Sequence, residues 1–324
     1  MRCFSLRSYD GACGDELWCV RRQVVLVQVG LLALFVFLAQ LIRPDQSSFG
    51  PSSSGPKERS EELRRRVKEI CSVFNVSSEI SRLQLQHIYV DDTRRLLYCS
   101  AQKVASSAWK KVWLRLTNPS FNVSGIMSNR LNIHLKTQEY MLIQPKFEDV
   151  WPDMLASYRK FLFIRHPFHR VVSAYRDKME VITEVEDLGI SHFMKKKISE
   201  KFGSSSTDPE GVVKFEEFVR FISHQEEYED IPWDGHWLPV HQICNPCGIQ
   251  YDFIGKFEQL DQDSSYIFKW LEVEEEMGQF PVPMKTTAAS SLASTYLHKL
   301  NSTLRRAFVS RYILDYLSFN YDFV

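Results

Sequence analysis

LLYCSAQKVASSAWKKVWLRL, residues 96–116, changes its hydrophobic period part-way along, and the fold follows from where it changes. Leu96, Leu97, Tyr98 and Cys99 make a continuous apolar run of strand length, whereas from Trp109 the apolar residues Val112, Trp113 and Leu116 recur at helical spacing. Between run and stripe lie Lys103 and two serines, Ser106 and Ser107, either of which suits a helix N-cap. A helix start offers free N–H groups and a partial positive charge to an anion, and Lys103 stands where a phosphate site would use a mobile cation. The glycine spacing of a Walker A loop is absent, which argues against a kinase or nucleotidase of that type.

A second unit of the same kind follows. FLFI, residues 161–164, bounded by Lys160 and Arg165, has the pattern of a central strand covered on both faces. Pro167 suits a helix start, and Val171, Val172, Ala174, Tyr175 and Met179 supply the stripe. Two strand-turn-helix units, each with a cation where the strand ends, predict an α/β fold: a central parallel sheet flanked by helices, with an anion site at its C-terminal edge. Upstream, residues 87–101 (HIYVDDTRRLLYCSA) read as a hairpin turning at Asp91, Asp92 and Thr93. Downstream, residues 214–222 read as a short amphipathic helix, and residues 251–255 as a third strand followed by a helix through Tyr266, Ile267 and Trp270. Residues 297–319 are amphipathic, with Tyr312, Leu314, Tyr316, Leu317 and Phe319 expected in the core. Residues 195–211, rich in charge and serine, are expected as a surface loop, and residues 280–284 as a proline-broken connector.

The 324 residues are 44% hydrophobic and 25% charged, and 40 basic residues balance 40 acidic ones, so no bulk attraction to nucleic acid is expected and a polyanionic partner needs a local patch. Residues 24–42 carry no charge and are long enough to cross about 30 Å of hydrocarbon. Arg43 and Pro44 follow directly in place of a small-residue cleavage site, which favours an uncleaved signal anchor. The acceptor sequons at Asn75, Asn122 and Asn301 all lie beyond it and put the body in the lumen, a single-pass type II arrangement. The expected layout is a cytosolic tail over 1–23, the anchor over 24–42, a stem over 43–82 that includes a solvated helix near Glu58–Val73, and the lumenal body over 83–324. Cys71, Cys99, Cys244 and Cys247 form an even lumenal set with three pairings open to it, and disulfides are the default in an oxidising lumen.

Arg165 and Ser173 complete a second constellation, a planar guanidinium fork with a hydroxyl two helical turns on. With Lys103 it would grip a nucleotide at two separate phosphates. Four ordered blocks carry a family resemblance: residues 96–112 (LLYCSAQKVASSAWKKV), 161–178 (FLFIRHPFHRVVSAYRDK), 236–260 (HWLPVHQICNPCGIQYDFIGKFEQL) and 312–321 (YILDYLSFNY). The chain resembles the Golgi carbohydrate sulfotransferases of the group that includes the HNK-1 and the chondroitin, dermatan and N-acetylgalactosamine 4-O-sulfotransferases.

That resemblance implies a P-loop-like α/β fold, 3′-phosphoadenosine 5′-phosphosulfate as donor with no metal, and a glycan acceptor, a galactosaminoglycan or a chain ending in N-acetylgalactosamine. It also implies that Lys103, Val104, Ala105, Ser106, Ser107, Ala108 and Trp109 cradle the 5′-phosphosulfate, with backbone N–H groups around Ala105 to Ala108, and that Arg165 and Ser173 hold the 3′-phosphate. Transfer needs a general base for the acceptor hydroxyl; His236 is the first candidate and His134 the second. Lys110, Lys111, Arg130, Lys136, Arg170 and Arg176 are available to meet an anionic chain. His236, His241, Cys244 and Cys247 also have a zinc-ligand spacing, against which stand the oxidising lumen and the family likeness. Four residues depart from the family pattern: Gln102 for proline, Ser106 for cysteine, Ala108 for asparagine, and His166 for the acidic residue after the arginine. These departures keep open a rival reading, a Golgi pseudoenzyme that binds glycan or nucleotide without turnover.

Overall fold

The computed structural model describes residues 54–118, 130–180, 190–202, 213–225, 234–281 and 286–324, and residues 54–324 form one compact unit. The expected anchor and cytosolic tail lie outside the described residues, among which no helix is long and apolar enough to cross a membrane.

Helix α1 (Pro56–Val73) opens the unit. A hairpin of β1 (Ile88–Asp91) and β2 (Leu96–Cys99) follows, then α2 (Ser106–Thr117) and α3 (Arg130–Thr137). Strand β3 (Arg159–Ile164) leads into α4 (Pro167–Lys178), and the chain continues through α5 (Ile190–Phe202), α6 (Phe215–Ser223) and α7 (Val240–Cys244). Strand β4 (Phe253–Lys256) precedes α8 (Leu260–Leu271), α9 (Thr286–His298), α10 (Ser302–Arg311) and α11 (Ile313–Ser318). The sheet has the order β1-β2-β3-β4; β2, β3 and β4 run parallel, with Cys99 opposite Leu162 and Leu162 opposite Ile254. The expected parallel sheet thus carries one antiparallel edge, because the two strands of the hairpin pair directly.

Both strand-turn-helix units fold as the period changes indicate, and the third strand and its helix are present. Two expectations are corrected. Residues 195–202, expected as loop, belong to α5, where Met194 and Ile198, one turn apart, are fully buried beneath the run of lysines. The helix near Glu58–Val73 forms but is not solvated: Leu63, Val67 and Ile70 are buried, and Leu63 and Val67 join the core of the sheet. Polar ties fix it there. Arg59 pairs with Asp263 at 2.6 Å, Arg66 donates to the Leu317 carbonyl at 3.1 Å, and the Ser60 hydroxyl accepts from the Ile254 amide at 2.9 Å.

Two disulfides radiate from the Cys244-Asn245-Pro246-Cys247 turn, Cys99–Cys244 to the end of β2 and Cys71–Cys247 to the last turn of α1. A second hydrophobic core lies behind α4, built with α6, α9, α10 and α11 around Phe168, Phe215, Phe218 and Phe308. Tyr312, Tyr316, Leu317 and Phe319 are buried as expected, while Leu314 is half-buried.

In a soluble fragment beginning at Ser54, Leu63→Ala is expected to cost about 2–5 kcal/mol in urea unfolding, the range for a truncated core leucine. A solvated stem helix would lose almost nothing.

Candidate active site

The loop from β2 to α2 departs from ordinary backbone at Lys103 and Ala105, whose φ values are 69° and 66°. For residues with a Cβ the left-handed region costs roughly 1–2 kcal/mol each, so something else must hold the loop. The side chains that do so point inward. Val104 is fully buried, and the Trp109 indole sits in the core among Tyr98, Phe161, Phe163 and Phe280, with ring centroids 5.6, 5.0, 4.9 and 4.8 Å away. Trp109, expected in the anion cradle, therefore anchors it from behind.

The expected serine cap is also corrected. Ala105, left-handed and without a capping side chain, occupies the N-cap position, and Ser106 is the first helical residue. The amides of Ala108 and Trp109 both donate to the Ala105 carbonyl, at 2.9 and 3.0 Å. Those of Val104, Ala105, Ser106 and Ser107 have no hydrogen-bond partner among the described residues. Unpaired donors at a helix N-terminus are what an anion needs.

Lys103 Nζ lies 2.9 Å from Asp177 Oδ2, on the last turn of α4. Burial lowers the lysine pKa and Asp177 works against that fall; burial likewise pushes the Asp177 carboxyl up, but Lys103, Lys178 and His236 together hold the acid below its ordinary value. Arg165, at the end of β3, is 4% exposed, donates to the Lys103 carbonyl at 3.2 Å and lies 4.2 Å over the Phe257 ring. Burial lowers its pKa to about 10, which leaves it cationic at neutral pH, with Glu258 favouring the charge. Ser173 is half-buried on α4, one turn before Asp177, and its hydroxyl has no partner among the described residues. Lys103 and Arg165 thus meet where the parallel strands β2 and β3 end.

His236 comes to the same place on the chain between α6 and α7. Its Nδ1 lies 2.6 Å from Asp234 Oδ1, and its backbone amide donates to the same oxygen at 2.7 Å. A carboxylate accepts, so Nδ1 donates in this contact, and Nε2 has no partner among the described residues. Burial pushes the Asp234 carboxyl up, but the His236 contact more than offsets this and keeps it below its ordinary value. Lys103 and His236 both bear on Asp177, so the two side chains flank one carboxylate. The second candidate base, His134, lies on α3 with its side chain outside the described residues.

Other expected roles change. Cys244 and Cys247 are in disulfides, and His241 Nδ1 lies 3.1 Å from the buried Asp315, so the zinc-like spacing serves structure; no cluster of metal-ligating side chains occurs among the described residues. Of the basic residues set aside for an anionic chain, Arg170 is interior and Lys110 is buried, its pKa lowered to about 8 by desolvation, while Arg176 lies 3.3 Å from Glu180. The Arg130 side chain lies outside the described residues; Lys111 is half-buried and Lys136 exposed. Sequence reading missed the carboxylates Asp177, Asp234 and Glu258. Asp234 two residues before His236, and Asp177 one turn after Ser173, were the available signals.

Free amides beside a lysine and an arginine, with an aspartate-held histidine near them, suit an anion. Residues 86–322 match the sulfotransferase family, and the chain belongs to it. Carbohydrate sulfotransferase 11 of Danio rerio is 32% identical over 295 residues, covering 88% of this chain and 81% of that protein. Carbohydrate sulfotransferase 11 of Rattus norvegicus is 30% identical over 268 residues, 80% and 75% of the two chains, and carbohydrate sulfotransferase 12 of Xenopus laevis is 29% identical over 264 residues, 75% and 62%. No solved structure matches. The chain is a sulfotransferase by family, similar over most of its length to carbohydrate sulfotransferases.

Replacing Asp177 by Asn removes the group that opposes desolvation of Lys103. The lysine is then expected to lose its proton at lower pH than in the native protein, read from the carbon-13 resonance of Lys103 Cε. An unchanged midpoint would separate Asp177 from the electrostatics of the cleft.

Proposed function

We propose that the enzyme moves a sulfuryl group from 3′-phosphoadenosine 5′-phosphosulfate to a hydroxyl of N-acetylgalactosamine in chondroitin, dermatan or N-acetylgalactosamine-terminated chains, with His236 as base. The observation that carries this reading is the convergence of the free amides at 104–107, Lys103, Arg165 and the unpartnered His236 Nε2 at one sheet edge. The amides and Lys103 would hold the 5′-phosphosulfate, and Arg165 with the Ser173 hydroxyl the 3′-phosphate.

His236 Nε2 takes the proton of the acceptor hydroxyl as that oxygen bonds to sulfur, while Asp234 stabilises the imidazolium through Nδ1. As the bond between sulfur and the bridging phosphate oxygen breaks, Lys103 and the free amides take up the charge left on the phosphate. Lys103 must leave Asp177 to do so. The N-acetylgalactosamine acceptor rests on the likeness of the four sequence blocks to the 4-O-sulfotransferases. The same likeness, with the apolar stretch 24–42 and the downstream sequons, supports a Golgi membrane protein with its catalytic body in the lumen.

Soluble protein given radiolabelled donor and a panel of desulfated chondroitin, dermatan, heparan and N-acetylgalactosamine-terminated glycans is expected to label the galactosamine-bearing ones. Lys103→Ala should lose about 100- to 1,000-fold in kcat, the scale of a removed charge-stabilising donor. His236→Ala should lose about 100- to 10,000-fold, the scale of a removed base. Donor binding without labelling of any glycan would leave the pseudoenzyme reading; labelling of heparan alone would overturn the acceptor.

A further inference from the structure

We propose that Arg170 is a positioning residue for the transfer step, its guanidinium fixing the separation between the loop that carries Lys103 and the loop that carries His236. The proposal deepens the reading above and rests on its assignment of those two residues.

Arg170 lies on α4 and is 1% exposed. Its Nε donates to the Gln102 carbonyl at 2.9 Å, the residue immediately before Lys103. Its Nη1 donates to the Leu238 carbonyl at 2.6 Å and its Nη2 to the Gly235 carbonyl at 2.7 Å, so these two acceptors bracket His236. One planar fork therefore spans both halves of the reaction centre. One turn further along the same helix face stands Ser173, and beyond it Asp177, the partner of Lys103.

A purely structural tie does not call for this residue. The Cys99–Cys244 disulfide already ties the end of β2, just before the first loop, to α7, just after the second. A fully buried guanidinium that rests on three carbonyls, with no carboxylate in hydrogen-bond contact among the described residues, is costly to desolvate. What arginine supplies is direction: three N–H groups in a rigid plane set three oxygens at fixed angles, which neither lysine nor an amide reproduces. Gly235 shows how little slack remains, since a Cβ there would come within 2.5 Å of Gln102 Oε1 and 2.9 Å of His87 Cε1. Base and leaving-group cation act on opposite ends of one in-line displacement, so their separation bears on the rate more than on binding.

The test is Arg170→Lys in the full protein. Once the variant is shown to fold by circular dichroism, kcat is expected to fall about 10- to 100-fold, while the acceptor KM and the affinity for adenosine 3′,5′-bisphosphate move less than about threefold. In a double-mutant cycle with His236→Ala the two losses should not multiply, because misplacing an absent base costs nothing. The downfield proton signal of the His236 Nδ1–H bonded to Asp234, identified by its loss in His236→Ala, should shift or broaden in Arg170→Lys. A kcat within about threefold of native with that signal unmoved, or losses that multiply on the His236→Ala background, would reduce Arg170 to a structural anchor. Should the lysine variant not fold, Arg170→Gln, which removes the buried charge and keeps an amide donor, takes its place in the same comparison. If the native protein transfers no sulfuryl group, the functional reading fails separately, and the proton signal still decides whether Arg170 sets the His236 loop.

Discussion

The burial of Trp109 is the contact on which the site depends. Four backbone amides are left unpaired and two residues with side chains are held at positive φ, all within one turn of the helix start. Left to itself such a loop would relax, since two left-handed residues cost together about 2–4 kcal/mol. A fully buried tryptophan is worth about 3–5 kcal/mol against its truncation, and this one is packed on aromatic rings of β2, β3 and the segment after α8. The core term exceeds the loop strain, so the amides stay open. Val104 adds a second inward anchor between the two strained positions.

The charges are arranged on the same logic. Lys103, Arg165, Asp177 and Asp234 are all desolvated, which works against their charged forms. Each is held in its working form by one counter-group: Asp177 for Lys103, Glu258 for Arg165, His236 for Asp234. At His87 the fall goes further: burial lowers its pKa to about 4, with Lys110 and Arg170 adding to the fall. The wall of the cleft is therefore near-neutral behind a small set of retained charges, and Coulomb interactions with an anionic donor are strongest in such surroundings.

How much of this could be read from sequence follows from the range of each interaction. The change of period at residues 99–109 and the apolar run at 161–164 are local, so both strand-turn-helix units, the parallel sheet and the positions of Lys103 and Arg165 were legible. Met194 and Ile198 were passed over because two apolar residues in a run of lysines read as a solvated stretch until the second core covers them. The helix over Glu58–Val73 was legible as a helix but not as part of the body, because what buries it is β4 and α11, more than a hundred residues away. The role of Arg170 was hidden for the same reason: its partners are main-chain carbonyls, which carry no sequence signature.

The departures from the family pattern are accommodated by that reliance on main chain. A proline at position 102 would present the same carbonyl to Arg170 as Gln102 does, so the substitution leaves the tie intact. Ser106 and Ala108 change side chains, but the free amides of Ser106 and Ser107 belong to the backbone and persist. His166 removes a carboxylate beside Arg165, and Glu258 supplies one from the end of β4, accepting the His166 amide at 2.9 Å and the Tyr321 hydroxyl at 2.8 Å. The His166 ring stacks on His169 with centroids 4.4 Å apart, and its Nε2 lies 3.1 Å from the Asp322 carbonyl, which fastens the C-terminal segment against the edge of the cleft. The substitutions thus fall on side chains whose work is done by backbone groups or by a neighbouring acid, and the anion cradle stays whole.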